Sequence, residues 1–177
     1  LANFGTFLTT FLRRLAEKKS LIENELLEGR PMGSLLSFSA SGADSHLHGQ
    51  CAMRIEAQGG VFFYKPRDSR IDQLYTQIVE RFCPEVTRAP RVMCGEGFGF
   101  IECMHIAPVQ SREEIAQYYH HFGALTALFR FLGTSDMHYE NILACGAYPT
   151  AIDMETLLTP SADPYRGCEI SSVDEMN

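Results

Sequence analysis

The segment 133–141, GTSDMHYEN, holds the densest group of side chains able to do chemistry. Asp136 stands five residues before Asn141, and Asp153 follows twelve residues after Asn141. Kinase-type sites use the same order: an acid that orients the substrate hydroxyl, an Asn that binds Mg²⁺, and an Asp that binds metal and nucleotide phosphates. A simpler alternative is that Asp136 caps a turn, Asn141 lies in a loop and Asp153 ends a strand. We favour the first interpretation, which predicts phosphoryl transfer from a nucleotide with Mg²⁺.

A lysine at the end of a predicted strand is the second feature. Lys65 ends the second strand of a predicted hairpin and precedes a predicted helix. Kinase-type sites place an ammonium group there to bind the α- and β-phosphates, and a helix carboxylate orients it. Glu80 and Glu96 are both candidates for that carboxylate, and the sequence does not separate them. Arg67 suits contacts with either phosphate or carboxylates.

A polar loop at 41–49 is the third feature, and it contains Asp44 and His46. A kinase-type fold has its glycine-rich loop at this point, but this loop lacks the pattern G-x-G-x-x-G. Histidine titrates near neutral pH and can act as acid or base, so an Asp and a His beside a triphosphate suggest more than phosphate binding. The alternative is a polar turn. A metal site with His48 is disfavoured, because no third ligand has suitable spacing.

Hydrophobic periodicity predicts the elements that must position these residues. Predicted helices cover 4–15, 21–27, 69–82 and 111–132, and predicted strands cover 35–39, 51–57, 61–64, 91–94, 98–104, 141–145 and 150–152. In the third helix the inward residues are expected to be Ile71, Leu74, Ile78 and Val79. The fourth helix begins with a capping box, in which Ser111 and Glu114 satisfy free backbone N–H groups, and Gly133 follows its last turn.

Composition limits the classes of protein that fit. The 177 residues are 45% hydrophobic and 21% charged, which is typical of a soluble globular domain. A net charge of −7 argues against nucleic acid as a partner. No apolar stretch reaches the 18 residues or so that a transmembrane helix needs. The six cysteines form no C-x-x-C pair, which favours reduced thiols and a cytoplasmic location. The absence of an initial Met and the polar end suggest a piece cut from a longer protein.

Four motifs occur in order along most of the chain: Asp44-Ser-His46-x-x-Gly49, Tyr64-Lys65-Pro66-Arg67, the segment from Gly133 to Asn141, and Asp153-x-Glu155. Together they resemble the N-terminal dehydratase domain of the class II lanthipeptide synthetases, the LanM family. The resemblance runs from about residue 29 to residue 158. It implies an α+β fold of the lipid-kinase type, with an antiparallel N-lobe sheet, added helices and part of a C-lobe.

The resemblance also implies an activity. Such a domain phosphorylates Ser and Thr of a precursor peptide with ATP and Mg²⁺, and then eliminates phosphate to leave dehydroalanine or dehydrobutyrine. By motif, Lys65 would bind phosphates, Asp136 would orient the substrate hydroxyl, and His138 would support that loop or the phosphates. Asn141 and Asp153 would bind Mg²⁺ with Glu155 beside them. Asp44 and His46 would line the nucleotide loop and assist elimination.

Parts of the family's architecture are missing from this sequence. The later activation segment, whose Arg and Thr share the elimination step, the rest of the C-lobe and the zinc-binding cyclase domain do not occur in it. We therefore expect residues 1–110 to form the N-terminal helices and N-lobe. Residues 111–160 would begin the C-lobe, with its catalytic loop and metal-binding hairpin, and 161–177 would be a flexible tail. Those missing parts would be partners of this chain, which we expect to be inactive alone.

Two other functions fit part of the pattern. A kinase-fold phosphotransferase acting on a small molecule or a protein would share Lys65, Asp136 and Asp153 without needing His46. A non-catalytic module that binds a leader peptide would bind peptide without nucleotide. The complete set of acid, Asn and acid argues against the second alternative, because a binding module has no chemical need of it.

Overall fold

The computed structural model describes residues 2–41 and 50–158. In chain order the helices are α1 (Ala2–Leu21), α2 (Arg70–Phe82) and α3 (Arg112–Leu132), with a π-helical turn at Ile22–Leu26 and a 3-10 turn at Tyr139–Asn141. The strands are β1 (Leu35–Ala40), β2 (Met53–Ala57), β3 (Gly60–Lys65), β4 (Val92–Gly95), β5 (Phe98–Glu102), β6 (Ile142–Cys145) and β7 (Tyr148–Ala151). The predicted tail at 161–177 lies outside the described residues. The antiparallel sheet and its helices confirm the α+β class.

The first five strands form one antiparallel sheet in the order β1-β2-β3-β5-β4. Helix α1 covers one face of it, and Phe11 contacts the ring of Tyr64 with 5.1 Å between ring centroids. Successive side chains of a strand point to opposite faces, so Tyr64 on the α1 side leaves Lys65 on the other face. The sheet thus presents Lys65 on the face that α1 does not cover.

The start of the chain differs from the prediction in one respect. The sequence predicts two helices, 4–15 and 21–27, whereas α1 runs directly into the π-helical turn at Ile22–Leu26. Ile22 and Leu26 are buried, so the widened turn keeps both apolar side chains in the core beneath the sheet. The helical segment ends near Gly29, whose φ of 78° lies in the left-handed region that favours glycine.

A second core lies between α2, α3 and the β6–β7 hairpin. Its buried members are Tyr75, Val79, Leu125, Phe129, Leu132, Ala151, Met154 and Leu157. The predicted inward face of α2 was partly wrong, because Leu74 is exposed and the buried positions are Asp72, Tyr75, Thr76 and Val79. Polar Thr76 can be buried because its hydroxyl donates to the Pro90 carbonyl.

The hairpin β6–β7 is held against α3 by an aromatic stack. His121 on α3 is buried, its Nδ1 lies 2.8 Å from the Ala147 carbonyl oxygen, and its ring stacks on Tyr148 at 5.0 Å. At the open end of the hairpin, the Ile152 N–H donates to the Asn141 carbonyl at 2.9 Å. This bond holds Asn141 and the residues just after β7 side by side.

Helix α3 begins and ends as the sequence predicts. The Glu114 N–H donates to Ser111 Oγ at 3.1 Å, and Gly133 follows with a φ of 64°. The Glu114 carboxylate accepts a hydrogen bond from the Gln110 N–H, whereas a capping box would use the N–H of the next residue, Ser111. None of the described helices is both long and apolar enough to cross a membrane.

Replacing Ser111 by Ala is expected to destabilise the protein by about 1 kcal/mol, because an N-terminal N–H of α3 then loses its acceptor. Urea unfolding measures this. Thr126→Ala is the matched control on the same helix. Among the described residues, its exposed hydroxyl bonds only to the Phe122 carbonyl, so we expect a change within about 0.5 kcal/mol. Equal effects of the two substitutions would contradict the capping role.

Candidate functional site

Lys65, at the end of β3, contacts two carboxylates. Its Nζ lies 2.7 Å from Asp153 Oδ1 and 3.7 Å from Asp72 Oδ1, and its side chain is 16% exposed. Asp72 lies in the first turn of α2, which puts a helix carboxylate beside the strand lysine. The two sequence candidates for that role, Glu80 and Glu96, are exposed. The structure thus gives the helix position to Asp72.

Arg67 joins three carboxylates. Its Nη1 lies 2.9 Å from Asp72 Oδ2, its Nη2 lies 2.6 Å from Asp153 Oδ1, and its Nε lies 3.3 Å from Glu155 Oε2. We call Lys65, Arg67, Asp72, Asp153 and Glu155 the ion-pair cluster. Two cations and three carboxylates meet there, at the junction of β3, α2 and the segment that follows β7. Four members of the cluster are residues that the sequence selected, namely Lys65, Arg67, Asp153 and Glu155.

Asp72 is the buried centre of the cluster, with 4% of its surface exposed. Besides its two ion pairs, its Oδ1 accepts the Met154 N–H at 3.2 Å. This bond ties α2 directly to the backbone that carries Asp153. Sequence reasoning missed Asp72, because an acidic residue in the first turn of a helix is ordinarily explained by the helix dipole. The available signal was its place on the inward face of α2, beside Tyr75 and Thr76.

Asp153 has an unusual backbone and a stabilised charge. Its φ is 58°, in the left-handed region that only Gly, Asn and Asp enter readily, and such conformations concentrate at functional sites. Burial opposes the charged form, but Lys65 and Arg67 outweigh it and hold the pKa of the Asp153 carboxyl below its usual range. Asp153 is therefore an anion at neutral pH.

This pKa shift predicts a pH dependence. Because the pKa of Asp153 is lower in the folded protein, its charge stabilises the fold above the unfolded pKa of about 3.9. That stabilisation is lost as pH falls through the folded pKa. Urea unfolding should therefore show wild type more stable than Asp153→Asn by a constant margin from neutral pH to about pH 5, and the margin should shrink in more acid solution. A margin that grows on acidification would contradict the ion pairing.

The loop before β6 carries Asp136, His138 and Asn141. Asn141 Nδ2 donates to the Asp136 carbonyl at 2.9 Å, and the Glu140 N–H donates to His138 Nδ1 at 3.3 Å. His138 Nε2 lies 3.8 Å from Asp136 Oδ1. The side chains of Asp136 and His138 are 56% and 45% exposed, so both are accessible to a substrate. Hydrogen bonds within the loop therefore hold its conformation, while the Asp136 carboxylate faces solvent.

Hydrogen bonds connect the loop before β6 to the segment that carries Asp153 and Glu155. The Asp136 N–H donates to Thr156 Oγ1 at 3.2 Å, just past Asp153 and Glu155. The Leu158 N–H donates to the Leu132 carbonyl at 3.0 Å and closes the segment onto the end of α3. A movement of either group would therefore strain the other.

The oxygen donors present suit Mg²⁺. Asn141 Oδ1 and Asp153 Oδ2 accept no hydrogen bond from the part of the chain that the structure describes. Mg²⁺ usually takes one or two such protein oxygens and fills its other positions with water and phosphate. Within 2–41 and 50–158 there is no group of three His, Cys, Asp or Glu arranged to hold a metal ion. A metal at this site would therefore depend on Asn141, Asp153 and oxygens from a nucleotide.

The remaining predicted residues, Asp44 and His46, lie outside the described residues. Glu155, predicted beside the metal, contacts Arg67. The structure therefore brings together Lys65, Asp153 and Glu155 in one group, and Asp136, His138 and Asn141 in a second, adjoining group.

Comparison with known proteins gives two matches. A family model described as "Domain of unknown function (DUF4135)" matches residues 1–175. The chain is also 24% identical over 149 residues to the lacticin 481/lactococcin biosynthesis protein LcnDR2 of Lactococcus lactis subsp. lactis. That match covers 77% of this chain and 16% of the relative, so the chain spans about a sixth of the relative's length.

Proposed function

The chain belongs to the family described as DUF4135, and from this membership we propose that it takes part in lanthipeptide synthesis as the nucleotide-binding part of a dehydratase. The membership and the lacticin match also confirm the resemblance to the class II lanthipeptide synthetases. The substrate of the dehydratase is a precursor peptide, whose Ser and Thr are phosphorylated with ATP and then lose phosphate. Use of ATP and Mg²⁺ agrees with the cytoplasmic location expected from the cysteines.

One observation carries this proposal: Lys65 at the end of β3 meets Asp153 at the end of the β6–β7 hairpin at 2.7 Å. These residues are 88 positions apart in the chain, and only the fold joins them. Phosphoryl-transfer sites need a cation for the phosphates next to a carboxylate for the metal. A structural ion pair alone would not need Asn141, with an unused amide oxygen, at the other side of the same hairpin.

The phosphorylation step follows from the placement of the residues. Lys65 and Arg67 bind the phosphate oxygens. Asp136 accepts the proton of the substrate hydroxyl while the oxygen of that hydroxyl attacks the γ-phosphorus. The bond between the γ-phosphorus and the bridging oxygen breaks, and ADP leaves. Asn141 and Asp153 would hold Mg²⁺, which supplies positive charge to the phosphate oxygens. His138 holds the loop around Asp136 through its contact with the Glu140 N–H.

The elimination step needs a base and positive charge on the leaving phosphate. The base removes the α-proton, the Cβ–O bond breaks, phosphate leaves with that electron pair and a Cα=Cβ double bond forms. We propose that Arg67 and Lys65 remain on the phosphate in this step. Asp44 and His46, which by the resemblance would line the nucleotide loop, would assist proton removal.

Mass spectrometry of a precursor peptide tests the function. The protein, expressed from its complete reading frame, is incubated with ATP, Mg²⁺ and the lacticin 481 precursor peptide. We expect phosphorylated or dehydrated Ser and Thr with wild type, and a rate about 10²- to 10⁴-fold lower with Asp136→Asn, because the proton acceptor is lost. Asp68→Asn is the matched control, since Asp68 is bound only to neighbouring Arg70 and Arg67 in the described residues. Unmodified peptide with a wild-type protein that binds nucleotide would contradict the proposal.

A further inference from the structure

Two cations bind the same oxygen of Asp153. Arg67 Nη2 lies 2.6 Å and Lys65 Nζ 2.7 Å from Asp153 Oδ1. Both cationic side chains are largely buried, at 26% and 16% exposure, so water screens their charges poorly. A divalent cation that approaches Asp153 must therefore compete with two positive charges already in place.

Arg67 also contacts the second carboxylate proposed to lie beside the metal. Its Nε is 3.3 Å from Glu155 Oε2, so both Asp153 and Glu155 are paired with this one guanidinium. A guanidinium carries five N–H donors in a fixed fork, and the Nη1 of Arg67 stays on buried Asp72 at 2.9 Å. Arg67 can therefore pivot as a whole about its bond to Asp72, which carries Nη2 from Asp153 towards a phosphate without loss of this anchor.

We propose that Arg67 and Lys65 block metal binding at Asp153 until the phosphates of a nucleotide draw them away, so that the divalent metal binds with the nucleotide and not before it. This inference rests on the proposed function, because it requires a nucleotide at this site. The phosphates replace Asp153 as the anionic partner of the two cations, so the charges of Lys65 and Arg67 no longer oppose a metal at Asp153. Nucleotide and metal then favour each other's binding by the same factor, as linkage requires.

Metal binding without nucleotide gives the direct test. Mn²⁺ alone is titrated into wild type, Arg67→Met and the control Arg70→Met, with free Mn²⁺ followed by its electron paramagnetic resonance signal. We expect Arg67→Met to bind Mn²⁺ at least about 5-fold more tightly than wild type, the low end of typical coupling factors. Arg70→Met should match wild type, because Arg70 pairs with exposed Asp68. Metal-free ADP, in EDTA, should bind Arg67→Met about 10-fold or more weakly, since a charged phosphate contact is lost.

The outcomes separate the two proposals. If wild type binds Mg²⁺·ADP but Arg67→Met binds Mn²⁺ no more tightly, the blocking role is wrong and the proposed function stands. If wild type does not bind Mg²⁺·ADP, the proposed function fails and this inference fails with it. Circular dichroism melting checks that the variants fold. Should Arg67→Met not fold, Lys65→Met removes the other cation and must show the same tighter binding of Mn²⁺ alone.

Discussion

Replacing Asp72 by Ala is expected to reduce the free energy of unfolding by about 3–5 kcal/mol, the range found when one partner of a buried ion pair is removed. Asp72 is buried, and its loss leaves Arg67 with fewer carboxylates and the Met154 N–H without its acceptor. It also breaks the link between α2 and the segment after β7. Urea unfolding followed by circular dichroism measures the change.

Asp68→Ala is the matched control for this prediction. Asp68 is four residues earlier, and its carboxylate is 43% exposed and pairs with exposed Arg70. Exposed ion pairs contribute between about 0 and 1 kcal/mol, so the control should stay within that range. If Asp72→Ala lowers the free energy of unfolding as little as Asp68→Ala does, the ion-pair cluster does not hold α2 and the segment after β7 together.

Replacing Lys65 by Met is expected to weaken the binding of Mg²⁺·ADP about 10- to 150-fold. This follows from the 1.5–3 kcal/mol or so that a hydrogen bond to a charged group contributes. Met is unbranched and keeps most of the length and the apolar stem of the side chain, so the substitution removes mainly the charged end. Isothermal titration calorimetry gives the dissociation constants of both proteins.

Lys18→Met provides the control, because Lys18 lies in the last turn of α1, the helix that covers the face of the sheet opposite to Lys65. Its removal changes the net charge of the protein by the same amount. We expect wild-type affinity from it. Equal weakening by the two substitutions would mean that net charge, and not the position of Lys65, governs nucleotide binding.

Short-range signals were sufficient for most elements. The alternation of β2 and β3 around their glycine turn, and the capped ends of α3, follow from residue type and spacing alone. The π-helical turn was not predicted, because the apolar spacing around Ile22 fits a separate helix as well as a continuation. The inward face of α2 was only partly predicted, because burial of Asp72 depends on Arg67 and Lys65, which lie before the helix.

The site was predictable to the extent that its motifs are local. The spacing between Asn141 and Asp153 indicates a hairpin between them, with Asp136 in the loop before it. The structure contains this hairpin. The partners of Lys65 were not predictable, because the sequence gives no distance between β3 and the segment after β7. Arg67 was foreseen as a partner of phosphate or carboxylates, and in the structure it contacts Asp72, Asp153 and Glu155.

The central claim is that the end of β3 and the end of the β6–β7 hairpin form one site for a metal and a nucleotide. Calorimetric titration of Mg²⁺·ADP into wild type, Asp153→Asn and the control Asp68→Asn tests it most directly. We predict binding to wild type and to Asp68→Asn, and clearly weaker binding to Asp153→Asn, since the carboxylate proposed to hold the metal is gone. Folded Asp153→Asn that binds Mg²⁺·ADP as tightly as wild type, or folded wild type that does not bind it, would contradict the claim.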